Sequence, residues 1–116
     1  MVGTKARNRK DLFPGALEMM ILQVLRQQPL HGYGLVQHIQ QASNDLLRVE
    51  EGSLYPALQR LLKAGCVSAR WGVSTSGRRV RSYQLTASGR KHLEREVSSF
   101  EQMLEGIRRV LAPVKS

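Results

Sequence analysis

Three observations predict a mainly α-helical fold with one small β-hairpin. Apolar residues recur at helical spacing up to Gly65, the period switches to alternation between Cys66 and Leu85, and a sustained helical repeat follows Thr86. Three helices joined by short connections, then a hairpin, then one long helix is the order of a winged helix-turn-helix carrying a C-terminal dimerisation helix.

The chain has 116 residues, enough for one compact domain with a modest core plus an appended element. Its formal charge is +9, its pI is near 10.6 and its aromatic content is only 5%. That balance points to an anionic partner and against a large aromatic ligand cage. Nucleic acid outranks a membrane surface. No apolar run approaches the ~20 residues that span a bilayer, and the basic N-terminus has no apolar stretch behind it, so a cytoplasmic location without a membrane partner is expected. Cys66 is the only cysteine, which excludes an internal disulfide and any multi-thiolate metal site.

Residues 1–12 read as a flexible basic arm. Lys5, Arg7, Arg9 and Lys10 stand among small and polar residues without the apolar area to fold alone. Such an arm serves either as a phosphate-seeking tail beside the main contact, with Lys10 nearest the domain, or as a solubilising terminus. From Pro14, pre-set for a first helical turn, Leu17, Met20, Ile21, Val24 and Leu25 define a helix at the centre of the core. Gln27 to Gly32 breaks it. A second helix from about Tyr33 to Ala42 turns Leu35, Val36 and Ile39 inward, and a polar turn through Ser43, Asn44 and Asp45 follows.

The third helix lies in Glu50 to Gly65. Gly52 or Ser53 is the expected N-cap, Pro56 falls in the first turn, and Gly65 ends the helix. At 100° per residue, Leu54, Leu58, Leu61 and Leu62 share one side, Ser53, Pro56, Gln59, Arg60 and Lys63 share the other, and Tyr55 sits at the boundary. The outward face carries hydroxyl, amide and cationic donors and no acid, which suits a DNA major groove and its phosphates.

After Gly65, Cys66, Ser68 and Arg70 alternate with Val67, Ala69 and Trp71, and later Val80, Ser82 and Gln84 alternate with Arg81, Tyr83 and Leu85. These are two strands of a hairpin whose turn, from Gly72 to Arg79, ends in cations. Its position directly after the third helix makes it a wing, with Arg78, Arg79 and Arg81 reaching phosphate or the minor groove. Thr86 caps a last helix that runs to about Ala112 and stops at Pro113. Its apolar residues Leu93, Val97, Phe100, Leu104, Ile107 and Leu111 keep a heptad spacing, a dimerisation seam, and Met103 and Val110 widen the stripe toward the first helix. The expected division is therefore an arm over 1–12, a winged-helix DNA-binding domain over 13–86 and a dimerisation helix over 87–116.

Leu30-His31-Gly32-Tyr33-Gly34-Leu35, Glu51-Gly52-Ser53-Leu54-Tyr55-Pro56-Ala57-Leu58 and Tyr83-Gln84-Leu85-Thr86-Ala87-Ser88-Gly89-Arg90 occur in this order. With them the chain resembles the PadR family of bacterial transcriptional regulators, from about Phe13 to the C-terminal helix. The resemblance implies a winged-helix homodimer that represses promoters by occupying inverted-repeat operators and releases DNA when an effector binds. It places Ser53, Tyr55, Pro56, Gln59, Arg60 and Lys63 on the recognition helix, Gly77, Arg78 and Arg79 on the wing tip, and 87–112 on the short C-terminal helix of the family's smaller members. Relatives that bind flat drugs hold them between tryptophans on the dimer helices. Here the only tryptophan is Trp71, on the first wing strand, where it is expected to pack the hairpin onto the core.

His31 and His38 stand about 10 Å apart along a helix, too far to share a metal, so no metal or other cofactor is expected. Tyr33 is expected to be mostly buried, a hydroxyl contact to phosphate being the lesser alternative, and Cys66 to be a buried, inert strand residue. No Ser-His-Asp set, paired carboxylates or phosphate-cradling glycine loop supports an enzyme. The reading is a sequence-specific regulator that binds double-stranded DNA as a homodimer and answers to a small-molecule effector, with half-sites about 34–36 Å apart. The alternatives are a sensor or adaptor dimer with weak, indifferent DNA binding and, with less support, an RNA-binding winged helix.

Overall fold

The structure, a computed structural model, describes residues 15–114. The arm with Lys10, and the helix start at Phe13 and Pro14, lie outside the described residues. Four helices, α1 (Ala16–Gln27), α2 (Gly32–Ala42), α3 (Glu51–Lys63) and α4 (Ala87–Leu111), surround strands β1 (Leu30–His31), β2 (Val67–Val73) and β3 (Arg79–Leu85). Ile21, Leu22, Leu35, Leu54, Leu58 and Leu93 are fully buried where α1, α2, α3 and α4 meet the sheet.

The hairpin has an additional strand. β1 pairs antiparallel with β3, Leu30 opposite Tyr83 and His31 opposite Ser82, giving the order β1-β3-β2. A two-residue strand has no period to read, so this segment looks like a helix break in the sequence. It also delivers the next helix start: the Gly34 N–H donates to His31 Nδ1 (3.1 Å), and His31 is thereby the cap of α2.

α3 begins earlier than its capping residues suggest. The N-cap is Glu50, whose carbonyl accepts from the N–H groups of both Ser53 (2.9 Å) and Leu54 (3.0 Å). Gly52 and Ser53 are thus inside the helix, and Pro56 is its sixth residue, in the second turn rather than the first. Pro56 removes the donor that would bond the Gly52 carbonyl, a defect on the exposed side of α3. The helix ends as predicted at Gly65, in the left-handed region at φ +77. The Cys66 N–H donates to the Leu61 carbonyl (2.9 Å) and the Gly65 N–H to the Leu62 carbonyl (3.1 Å), the two bonds of a Schellman ending.

Thr86 caps α4 by accepting from the Gly89 N–H (3.0 Å), while its own hydroxyl donates to the Gly65 carbonyl (2.7 Å). One threonine therefore fixes the start of α4 to the end of α3. At 1.5 Å per residue the 25 residues of α4 extend about 37 Å, farther than the rest of so small a chain covers.

Two burial expectations are corrected. Tyr33 is 61% exposed, because one helical step past Gly32 takes it off the α2 face that buries Leu35 and Ile39. Trp71 is 57% exposed. It lies opposite Arg81, one same-face step beyond the Ala69–Tyr83 pair, where the hairpin has already passed the edge of the core.

Candidate nucleic-acid interface

α3 is held by its apolar side. Leu54, Ala57, Leu58 and Leu61 are buried against α1, α2 and the sheet, which leaves Gly52, Tyr55, Pro56, Gln59, Arg60 and Lys63 exposed and Ser53 half-buried at the flank. Tyr55, 43% exposed, leans toward α2: its hydroxyl lies where a Cβ on Gly32 would stand, so the glycine lets the two helices approach. Gly52 is the reverse case, since a side chain there would meet nothing.

Arg60 behaves differently from its neighbours. Its Nε donates to Glu18 Oε2 of α1 at 2.7 Å, so its charge is shared with the protein's own acid. Glu18, Arg60, His92 and Glu96 line a cleft of about 280 Å³ beside the C-terminal end of α3. Gln59 and Lys63 project from the opposite flank of the outward face, and among the described ion pairs neither meets an acid.

The wing tip is a short ordered turn. Gly77, at φ +86, lets the chain reverse, the Gly77 N–H donates to the Ser74 carbonyl (2.9 Å), and the Ser74 N–H donates to the Arg78 carbonyl (2.8 Å). Arg78 donates its backbone N–H to Ser74 Oγ (3.2 Å), leaving the guanidinium in solvent. Arg79 is stacked on Trp71, its Cζ 4.5 Å from the ring centroid, and Arg81 stands 5.9 Å from the centroids of both Trp71 and Tyr83. Burial pushes the Tyr83 phenol above its usual range, with Arg81 opposing that rise and Tyr55 adding to it.

A signal that motif reading passed over explains the electrostatics of this surface. From Gly52 to Leu93 the chain has no Asp or Glu, while Arg60, Lys63, Arg70, Arg78, Arg79, Arg81, Arg90 and Lys91 all fall in that span. Beyond the exposed Glu51 at its start, α3 therefore shares with the wing a surface free of acids, whose only neutralised cation among the described ion pairs is Arg60. A surface of this charge attracts polyanions. Among the described residues no group of three His, Cys, Asp or Glu is placed to hold a metal, and no helix is long and apolar enough to cross a membrane.

The seam of α4 divides in two. Leu93 is 0% exposed and belongs to the core of its own chain, so it is not open to a second subunit in the way the heptad spacing suggested, while Val97 is half-buried and packs against that core. Phe100 and Leu104 are half-buried, and beyond them the stripe opens: Ile107 is 36% and Leu111 75% exposed, with Val110 beside them at 83%.

Residues 21–95 match the model of the transcriptional regulator PadR-like family. The chain belongs to this family. As a PadR-like protein it is a transcriptional regulator, not an enzyme, and solved structures similar to it are transcriptional regulators too. A transcriptional regulator from Clostridium thermocellum is 25% identical, with a TM-score of 0.81 over 88% of this chain and 99% of that one. A PadR-like transcriptional regulator from Bacillus cereus is 27% identical, with a TM-score of 0.72 over 86% of this chain and 95% of that one. Bacillus subtilis PadR, solved in complex with operator DNA, is 24% identical with a TM-score of 0.64, over 71% of this chain and 46% of its own, a likeness of fold.

Proposed function

We propose that this PadR-like chain is a sequence-specific DNA-binding repressor that acts as a homodimer. The observation that carries the reading is the carboxylate-free span from Gly52 to Leu93, which lies on the outward face of α3 and on the wing. In a winged helix the second helix of the helix-turn-helix enters the major groove while the hairpin follows the adjacent backbone. On α3, Ser53, Gln59 and Lys63 supply base-edge contacts, and Tyr55 and Pro56 shape the approach. On the wing, Gly77 sets the turn that brings Arg78 and Arg79 to phosphate, and Arg60 adds charge only to the extent that Glu18 releases it.

The outer half of α4 supports the homodimer. Phe100, Leu104, Ile107 and Leu111 keep a coiled-coil spacing on a helix that outruns its own core, and burying that stripe against a second copy removes exposed apolar surface from water. Two such subunits present two α3 helices to successive grooves, which requires an inverted repeat with half-sites about 34–36 Å apart. An effector that binds one α4–α4 angle better than another shifts the spacing of the recognition helices and with it the affinity for the operator.

The test is footprinting and fluorescence anisotropy on the duplex upstream of the chain's own gene. Protection of two symmetric half-sites, bound by two chains, supports the proposal. Binding that is equal on scrambled DNA, and one chain per site, contradicts it.

A further inference from the structure

Trp71 is an exposed aromatic that the core does not use. It shares a strand face with Val67, which is buried, with Ala69, which is half-buried, and with Val73, which is 71% exposed, so an apolar face runs out of the core along the wing and ends in the open. The opposite strand brings cations to that same face. Arg79 and Arg81 pair with Val73 and Trp71 in the register, and the side chains alternate from the tip inward as Arg79, Trp71, Arg81 and Tyr83, with Tyr83 buried at the inner end. A guanidinium stacked on a ring keeps its in-plane N–H donors available to an anion. No acid of the hairpin competes for them.

We infer that Trp71 is itself a DNA contact of the wing, its indole packing against the deoxyriboses of the bound duplex while Arg79 and Arg81 engage the phosphates on either side. The partner follows from the chemistry of the face. A protein groove would satisfy Trp71 and Val73 but leave two unpaired arginines, whereas a sugar–phosphate backbone presents apolar sugars and anions at alternating positions. The inference rests on the proposed DNA-binding function and adds a contact of a different kind. Arginine contacts release counterions and make binding salt-dependent, but an indole on a sugar contributes by burial and does not.

Trp71 is the only tryptophan in the chain, so its fluorescence reports this position alone. The full-length protein is titrated with the upstream duplex, complex formation being followed by anisotropy of a label on the DNA, and acrylamide quenching is measured for the free and the saturated protein. We expect the quenching constant to fall at least about twofold on saturation. Trp71→Ala is expected to weaken binding about tenfold with an unchanged slope of log affinity against log salt, whereas Arg79→Ala flattens that slope by about 1. Trp71→Phe recovers most of the affinity. Trp71 equally accessible in the saturated complex overturns the inference while leaving the DNA-binding function intact, as does a Trp71→Ala variant that binds like the parent. Absence of any duplex binding at low salt removes both.

Discussion

Glu18 Oε2 of α1 accepts a 2.7 Å hydrogen bond from Arg60 Nε of α3. The partners stand 42 positions apart in the chain, and the pair commits one of the two cations of α3 to a contact within the protein. Arg60 remains largely exposed, so the contribution to stability is small, about 0–1 kcal/mol. Its consequence lies in binding. Glu18→Gln is expected to tighten DNA binding by a few fold and to steepen the salt slope by less than about 1, without moving the chemical denaturation midpoint appreciably; a variant with weaker DNA binding would show that the ion pair positions α3 instead.

Gly89 gives the sharpest stability prediction. Any Cβ at this position would overlap the carbonyl oxygen of Cys66 and press on the Leu85 side chain, and the Thr86 cap leaves the start of α4 no room to retreat. Gly89→Ala is expected to destabilise the chain by about 3 kcal/mol or more, although alanine is the better helix former. Ser88→Ala, one residue away and exposed, is expected to stay within about 0.5 kcal/mol in the same urea titration.

Stability should also respond to alkaline pH through Tyr83. Burial raises this phenol in the folded chain, so the folded state holds the proton more tightly than the unfolded state. The associated stability is fully present below the ordinary tyrosine value of 10.0 and is lost as pH rises through the raised folded value. Tyrosinate absorbance should show a late-titrating component in the native protein, and Tyr83→Phe should abolish it.

Under the proposed function, base reading on α3 and phosphate binding on the wing are expected to separate. Arg78→Ala, at the wing tip, is expected to weaken binding to all sequences alike and to reduce the salt slope by about 1. Gln59→Ala, on the outward face of α3, is expected to relax preference at one base position at about 1–3 kcal/mol and leave the slope unchanged. Site selection on both variants checks the division, and the reverse assignment would overturn it.

Most of the fold could be read from residues whose local chemistry and tertiary role agree. Thr86 is a cap former and caps, Gly65 takes the left-handed conformation that ends α3, and the alternation through Tyr83 gives the wing its register. Misreadings arose where a distant partner decides. β1 exists only because β3 lies beside it, and α3 starts at Glu50, ahead of the residues with the stronger capping preference. Trp71 looked like a core residue by size, but the hairpin outruns the core before reaching it. On α3, the outward placement of Pro56, Gln59 and Lys63 followed from period alone, while the capture of Arg60 by Glu18 required the packing of α1 on α3. Heptad spacing placed Leu93 with its seam partners, yet only the structure separates the turns of α4 that serve this chain from those left open.

The most direct test of the DNA-binding account is the anisotropy of a labelled duplex from upstream of the chain's gene, titrated against a scrambled duplex across a range of salt. The account predicts a complex that survives physiological salt and prefers the upstream duplex by about 10³ or more. Equal, salt-fragile binding to both duplexes would contradict it.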